Sequence, residues 1–166
     1  MEIKLVLASP TDFTLIAELA KEIWHKHYVP IIGAEQVEYM LAKIYNKESL
    51  LEQTEQKGHR FYLIEEEGTN KKLGFISISS EDGKNYWIHK FYILNNEQAK
   101  GIGTKVFQET LKIMNHPESI KLTVNRQNYK SINFYFKQGF TINEVADFDI
   151  GNNYFMNDFV MLWKKH

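Results

Sequence analysis

The sequence predicts a mixed α/β domain, residues 1–166, built around one central sheet. Three observations predict it. Helical and strand-like periodicities alternate along the chain. A glycine pair, Gly101 and Gly103, falls between a strand and a helix. No repeat, linker or low-complexity tract divides the chain. The predicted order is strand, helices, three strands, helix, strand, helix, two strands, which places helices around a mixed sheet.

The elements follow in order. Ile3–Leu7 is short and apolar and suits a first strand. Ser9-Pro10-Thr11-Asp12 has the features of a helix start, with a capping serine, proline at the first position and an acid three residues on. Phe13, Ile16, Ala20, Ile23 and Trp24 then recur at helical spacing, and Pro30 ends or bends that path. Ala34–Tyr45 predicts a second helix with Val37, Met40, Leu41 and Ile44 on one face, and Lys47–Gln56 a more polar third. Arg60–Glu67, Leu73–Ser80 and Tyr86–Leu94 are strand-like and separated by Gly- and Asp-bearing turns, which predicts an antiparallel meander. A helix follows the glycine pair to Asn115, then a strand at Ile120–Val124. Asn128–Gln138 is helical with Gly139 as its terminator. Phe140–Val145 and Tyr154–Trp163 are the final strands, joined by a loop over 147–153.

Bulk composition narrows the function. Twenty basic and 21 acidic side chains leave a formal charge of -1, so there is no cationic excess for nucleic acid. With no cysteine, disulfides, thiolate metal sites and a cysteine nucleophile are excluded. The histidines show no ligand spacing, so no metal is expected. No apolar run approaches a membrane span or a signal peptide, which predicts a cytoplasmic protein without a membrane partner.

Gln98-Ala99-Lys100-Gly101-Ile102-Gly103 follows a strand and opens a helix. Glycines there let the backbone approach a ligand, and the free N–H groups of a first helical turn favour an anion. Alone, the same residues also fit a glycine-eased turn. No Gly-Lys-Ser/Thr triplet follows, which excludes a P-loop, and Val106 stands where a Rossmann motif needs its third glycine.

A second segment makes the pattern specific. Gln98-x-x-Gly101-x-Gly103 resembles the Q/R-x-x-G-x-G/A motif of the GNAT superfamily of N-acetyltransferases. Asn128 to Phe140 resembles that family's N-x-x-A-x-x-F-Y-x-x-x-G-F segment, with Ser131 in the alanine place. The spacing between the two also fits, and Lys90–Leu94 resembles the family's fourth strand. The likeness spans residues 3 to 163 in element order and is strongest from 86 to 140.

The resemblance implies the GNAT acyl-CoA N-acyltransferase fold, with a mostly antiparallel twisted sheet flanked by helices. It implies acetyl-CoA as co-substrate and transfer of acetyl to a primary amine, in a small molecule of polyamine type or a peptide. The turn of Gln98, Ala99, Lys100, Gly101, Ile102, Gly103 and Thr104 would hold the pyrophosphate. Phe91, Tyr92 and Ile93 would pair with the pantetheine amides, and Asn128, Ser131 and Lys137 complete the implied cofactor set. Tyr135 would stand beside the sulfur as general acid, since a phenol of pKa ~10 can protonate a leaving thiolate. Without the motif, Tyr135 is one more aromatic on an amphipathic helix.

For the base, His89 titrates near neutrality, and strand alternation predicts it on the face of Phe91 and Ile93. A structural histidine, with a water chain as base, is the alternative. Trp24, Tyr28, His25 and His27 fall in the region that lines the acceptor site in this family. Asp158 lies in a run of acids, amides and aromatics, Asp147–Asp158, resembling polyamine-acetyltransferase relatives. A homodimer is compatible with the resemblance. A non-catalytic acyl-CoA-binding regulatory or interaction module on the same fold is the alternative function.

Overall fold

A computed structural model describes residues 1–97 and 101–166. Strand β1 (Ile3–Leu7) leads through a 3-10 turn at Pro10–Asp12 into α1 (Phe13–His27). Short α2 (Val29–Ile32), α3 (Ala34–Ile44) and α4 (Lys47–Leu51) follow, and α4 runs on as a π-helical turn over Glu52–Gln56. Strands β2 (Arg60–Glu66), β3 (Lys72–Ser80) and β4 (Asn85–Ile93) form the meander. Then come α5 (Ile102–Met114), β5 (Ser119–Asn125), α6 (Tyr129–Lys137), β6 (Thr141–Gly151) and β7 (Tyr154–Lys164).

The seven strands form one sheet in the order β1-β2-β3-β4-β5-β7-β6. All neighbours are antiparallel except β4 and β5, which α5 joins as a parallel crossover. Helices α5 and α6 cover one face through Val106, Phe107 and Ile132 against Ile76, Ile88 and Leu122. Helices α1, α3 and α4 cover the other through Ile16, Ile23, Val37 and Leu50 against Phe61 and Phe75. The whole is the mixed, mostly antiparallel sheet flanked by helices that the sequence predicts.

Two features position the site. β4 and β5 pair at only three positions, Asn85–Trp87 with Ser119–Lys121, and diverge beyond them into a wedge. On its other edge β4 carries a bulge: Ser77 faces Lys90 and Ile78 faces Ile88, so His89 is the extra residue.

The path breaks near His27-Tyr28 as expected, and Pro30 sits in the first turn of the separate α2, where a missing N–H costs nothing. Two local expectations are corrected. The segment 147–153 is not a loop, because β6 runs to Gly151 and turns back at Asn152-Asn153, both left-handed. The bulge breaks the alternation that placed His89 with Phe91 and Ile93, and its side chain lies on the opposite face.

The meander fits tightly behind the wedge. A Cβ on Gly74 of β3 would collide with the Tyr92 carbonyl oxygen of β4. Gly74→Ala is therefore expected to destabilise the protein by about 1–3 kcal/mol and lower Tm by several degrees in thermal denaturation.

Candidate active site

The wedge holds a cavity of about 200 Å³. One wall is β4, with Phe91, Tyr92 and Ile93; the other is β5, with Leu122, Thr123 and Val124. The first turn of α5 closes one end with Gly101, Gly103 and Thr104. The start of α6 closes the other with Asn128, Ser131 and Tyr135. Ile23 and His27 of α1, with Tyr28 just after it, cap it from the opposite face of the sheet.

The two glycines have separate jobs. Gly101 precedes α5 with φ 71°, a left-handed conformation that L side chains rarely adopt. Gly103 lets α5 approach α6: a Cβ there would come within 2.9 Å of the Phe134 ring. Gln138 Nε2 donates to Thr104 Oγ1 at 3.1 Å, fastening the same two helices. The first-turn N–H groups of α5 have no intrahelical acceptor, so they suit an anionic group at this end of the cavity. Just ahead of the turn, Glu97 is 1% exposed and accepts from Lys71 Nζ at 2.7 Å. Gln98, Ala99 and Lys100 lie outside the described residues.

Asn128 is buried, and its side chain accepts from Ser131 N at 3.3 Å, capping α6. One turn on, Tyr135 lies among Phe91, Phe134 and Phe140, with ring centroids 5.4–6.3 Å away. Burial, reinforced by Tyr28, holds its phenol well above the ordinary tyrosine value. Tyr28 is pushed up to about 12 by burial, which the facing Tyr92 and Asn128 side chains moderate. Trp24 packs against Tyr28 with tilted rings, centroids 4.8 Å apart, and is not part of the cavity wall. Ile102 turns into the core, and Lys137 stands exposed in the last turn of α6.

His89 borders the cavity, and its ring is held by Ser79 and His59. Nε2 is 2.7 Å from Ser79 Oγ, and the ring stacks on His59 at 3.7 Å. Burial first, then the neighbouring His59 and Lys90, lowers His89 to about 3; burial, then Lys90 and Lys57, lowers His59 to about 4. Lys90 is buried beneath them, donating to Gln53 Oε1 at 2.7 Å over the Phe61 ring, and burial lowers it to about 8. His25 pairs with Glu38 at 2.7 Å on the surface, away from the cavity. Among the described residues no cluster of His, Cys, Asp or Glu is placed to hold a metal, and no helix is long and apolar enough to cross a membrane.

Sequence reasoning missed Thr123 and Lys130 as wall residues. Thr123 stands two places past the last β4–β5 pair, a position visible only once the strands are seen to part.

The model of the Acetyltransferase (GNAT) family matches residues 17–140, from α1 through the glycine turn to the end of α6. The chain belongs to the GNAT family of acetyltransferases. Its co-substrate is accordingly acetyl-CoA. A curated relative, spermidine N(1)-acetyltransferase of Thermoplasma acidophilum, is 27% identical over 93% of this chain and 99% of its own. The crystal structure of the PaiA N-acetyltransferase of Thermoplasma acidophilum in complex with coenzyme A superposes with a TM-score of 0.80 at 26% identity, covering 99% of this chain and 100% of that one. A GCN5-related N-acetyltransferase from Rhodopseudomonas palustris shares the fold at TM-score 0.79 and 14% identity, covering 99% and 97%.

The stacked histidines set a pH response. Both bind protons less readily folded than unfolded, so the unfolded state gains protons first as pH falls below about 6.5. Stability should drop as pH is lowered from 6.5 towards 4. His89→Gln should flatten that drop in denaturation curves recorded at neutral and acidic pH.

Proposed function

We propose that this acetyltransferase moves acetyl from acetyl-CoA to a primary amine of a small polyamine-like molecule by direct attack. The observation that carries the proposal is the wedge between β4 and β5, bounded by Gly101–Thr104 at one end and by Asn128 and Tyr135 at the other. The spermidine-acetylating relative, similar over nearly its whole length, supports the polyamine class.

In this reading the α5 turn, with Gln98, Ala99 and Lys100, takes the pyrophosphate. The β4 backbone at Phe91–Ile93 takes the pantetheine amides in the manner of an added strand. Asn128 and Ser131 hold the arm from the other side. Tyr135 stands where the thioester sulfur ends and gives it a proton as the carbon–sulfur bond breaks. Its raised pKa keeps that proton in place at any working pH. The amine enters from the α1 face past Tyr28, which Trp24 braces. His89 is left out of the proton transfers, because its Nε2 is engaged by Ser79.

The test is a titration of the purified protein with acetyl-CoA, followed by free-thiol release over polyamines, amino acids, aminoglycosides and peptide N-termini. Saturable binding, with fastest release for polyamines, is expected. Absence of binding at millimolar ligand would overturn the assignment, and binding without thiol release from any amine would leave only a cofactor-binding module. Tyr135→Phe is expected to reduce turnover about 10²-fold or more with acetyl-CoA affinity nearly unchanged. Gly103→Val should displace Phe134 and abolish acetyl-CoA binding; unaltered affinity would show that the turn is not the pyrophosphate site.

A further inference from the structure

One carboxylate is buried next to the cavity wall without a hydrogen bond of normal geometry. Asp158 on β7 is 1% exposed, and neither carboxylate oxygen has a hydrogen-bond partner. Burying a carboxylate without donors is costly, so such a group calls for a partner from outside the chain.

Its position says which partner. Asp158 faces Asn125 in the β5–β7 register, so its side chain shares a sheet face with Thr123 and Val160. That is the α1 face, since Leu122 and Val124 point into the core beneath α5 and α6. Thr123 is exposed on the cavity wall, on the same sheet face as Asp158, and its side chain favours the ionised carboxylate. The ionisable groups that face the carboxylate are Tyr28 at the C-terminal end of α1, Arg126 from the β5–α6 turn and Asp147 from β6. Arg126 does not neutralise it: the guanidinium donates to Asp147 Oδ1 at 2.9 Å and to the carbonyls of Asp158 and Ala146 at 3.3 and 3.5 Å.

We propose that Asp158, acting through the Thr123 hydroxyl, takes the proton that the acceptor amine must lose before it attacks. The inference rests on the acetyl-transfer reading and adds the acceptor half to it. An alkylammonium ion carries three protons. One passes to Thr123 Oγ1 while that hydroxyl gives its own proton to Asp158. The freed nitrogen lone pair forms the bond to the thioester carbonyl carbon, and the carbon–sulfur bond breaks with its electron pair on sulfur. Tyr135 protonates the sulfur and regains a proton from the attacking nitrogen. The third proton stays on the amide, and the one held by Asp158 returns to water. Overall, one ammonium and one thioester give one amide, one thiol and one proton.

The placement suits the chemistry. Tyr135 lies on the α6 side of the wedge and Thr123 with Asp158 on the α1 side, so the donor and acceptor of protons flank the reacting carbon. Burial raises Asp158 to about 6, with Thr123 and Arg126 holding it back. It is thus a stronger base than an ordinary aspartate and still ionised at neutral pH.

The experiment is the pH dependence of kcat/KM for a polyamine at saturating acetyl-CoA. Wild type should lose activity below about pH 6, as Asp158 protonates. Asp158→Asn should abolish that limb and lower kcat about 10²-fold, with acetyl-CoA affinity kept as the check on folding. Thr123→Val should cost a similar factor, and Thr123→Ser should restore most of it. The double variant should fall little below either single one, because the two groups act in one relay. An unchanged acidic limb in Asp158→Asn, multiplicative losses in the double variant, or equal turnover of Thr123→Val and Thr123→Ser would overturn the relay. The last comparison holds even if Asp158→Asn does not fold. Full activity in Asp158→Asn would sink the relay and leave the acetyltransferase reading standing, whereas no thiol release by wild type with any amine would sink that reading.

Discussion

Parallel strands β4 and β5 hydrogen-bond only at Asn85–Trp87 and Ser119–Lys121, and their remaining lengths must find other partners. The rest of the site follows from that parting. It opens a slot through the middle of the sheet, reachable from the α1 face and the α6 face alike. The bulge at His89 turns β4 at the point where the slot begins. Helix α5, as the crossover between the two strands, brings its N-terminus to the mouth of the slot. Gly101 supplies the left-handed turn, and Gly103 lets α5 lie against Phe134 of α6.

The slot is lined so that protons stay where they are put. Burial raises Tyr28, Tyr92 and Tyr135, and it lowers His59, His89 and Lys90. The phenols and imidazoles facing this region are therefore neutral at physiological pH. Such a low-dielectric wall strengthens each charge that remains. Behind it Asp158 is a buried carboxylate whose oxygens make no hydrogen bond of normal geometry. The aromatic set of Trp24, Tyr28, Tyr92 and Phe75, with neighbouring centroids 4.8–6.3 Å apart, fixes the α1-side wall against the sheet.

Much of the cavity's lining from the α5 turn and α6 is legible in the sequence, because its requirements are local. A left-handed turn needs Gly101, a helix cap needs Asn128, and both announce themselves in a few residues. The meander, the crossover and the amphipathic faces of α5 and α6 are legible for the same reason. The His89 bulge is not, since one extra residue leaves no mark on an aromatic-rich strand, and it reverses the face of every side chain beyond it. β6 hides its length because it is an edge strand exposed along most of its residues, so no apolar alternation marks it. Asp158 looks in sequence like one more acid in a polar run. Only the folded chain, with Asp158 placed opposite Asn125 in the β5–β7 register, shows that it is buried. Lys90 is equally unmarked, because its partners Gln53 and Phe61 come from distant segments.

The central claim is that the parted edges of β4 and β5 receive acetyl-CoA, and amide hydrogen exchange tests it most directly. Adding acetyl-CoA should slow exchange at Phe91–Ile93 and in the first turn of α5 while leaving the outer strands β1 and β6 unchanged. Protection confined to another part of the sheet, or none at these amides at saturating ligand, would contradict the account.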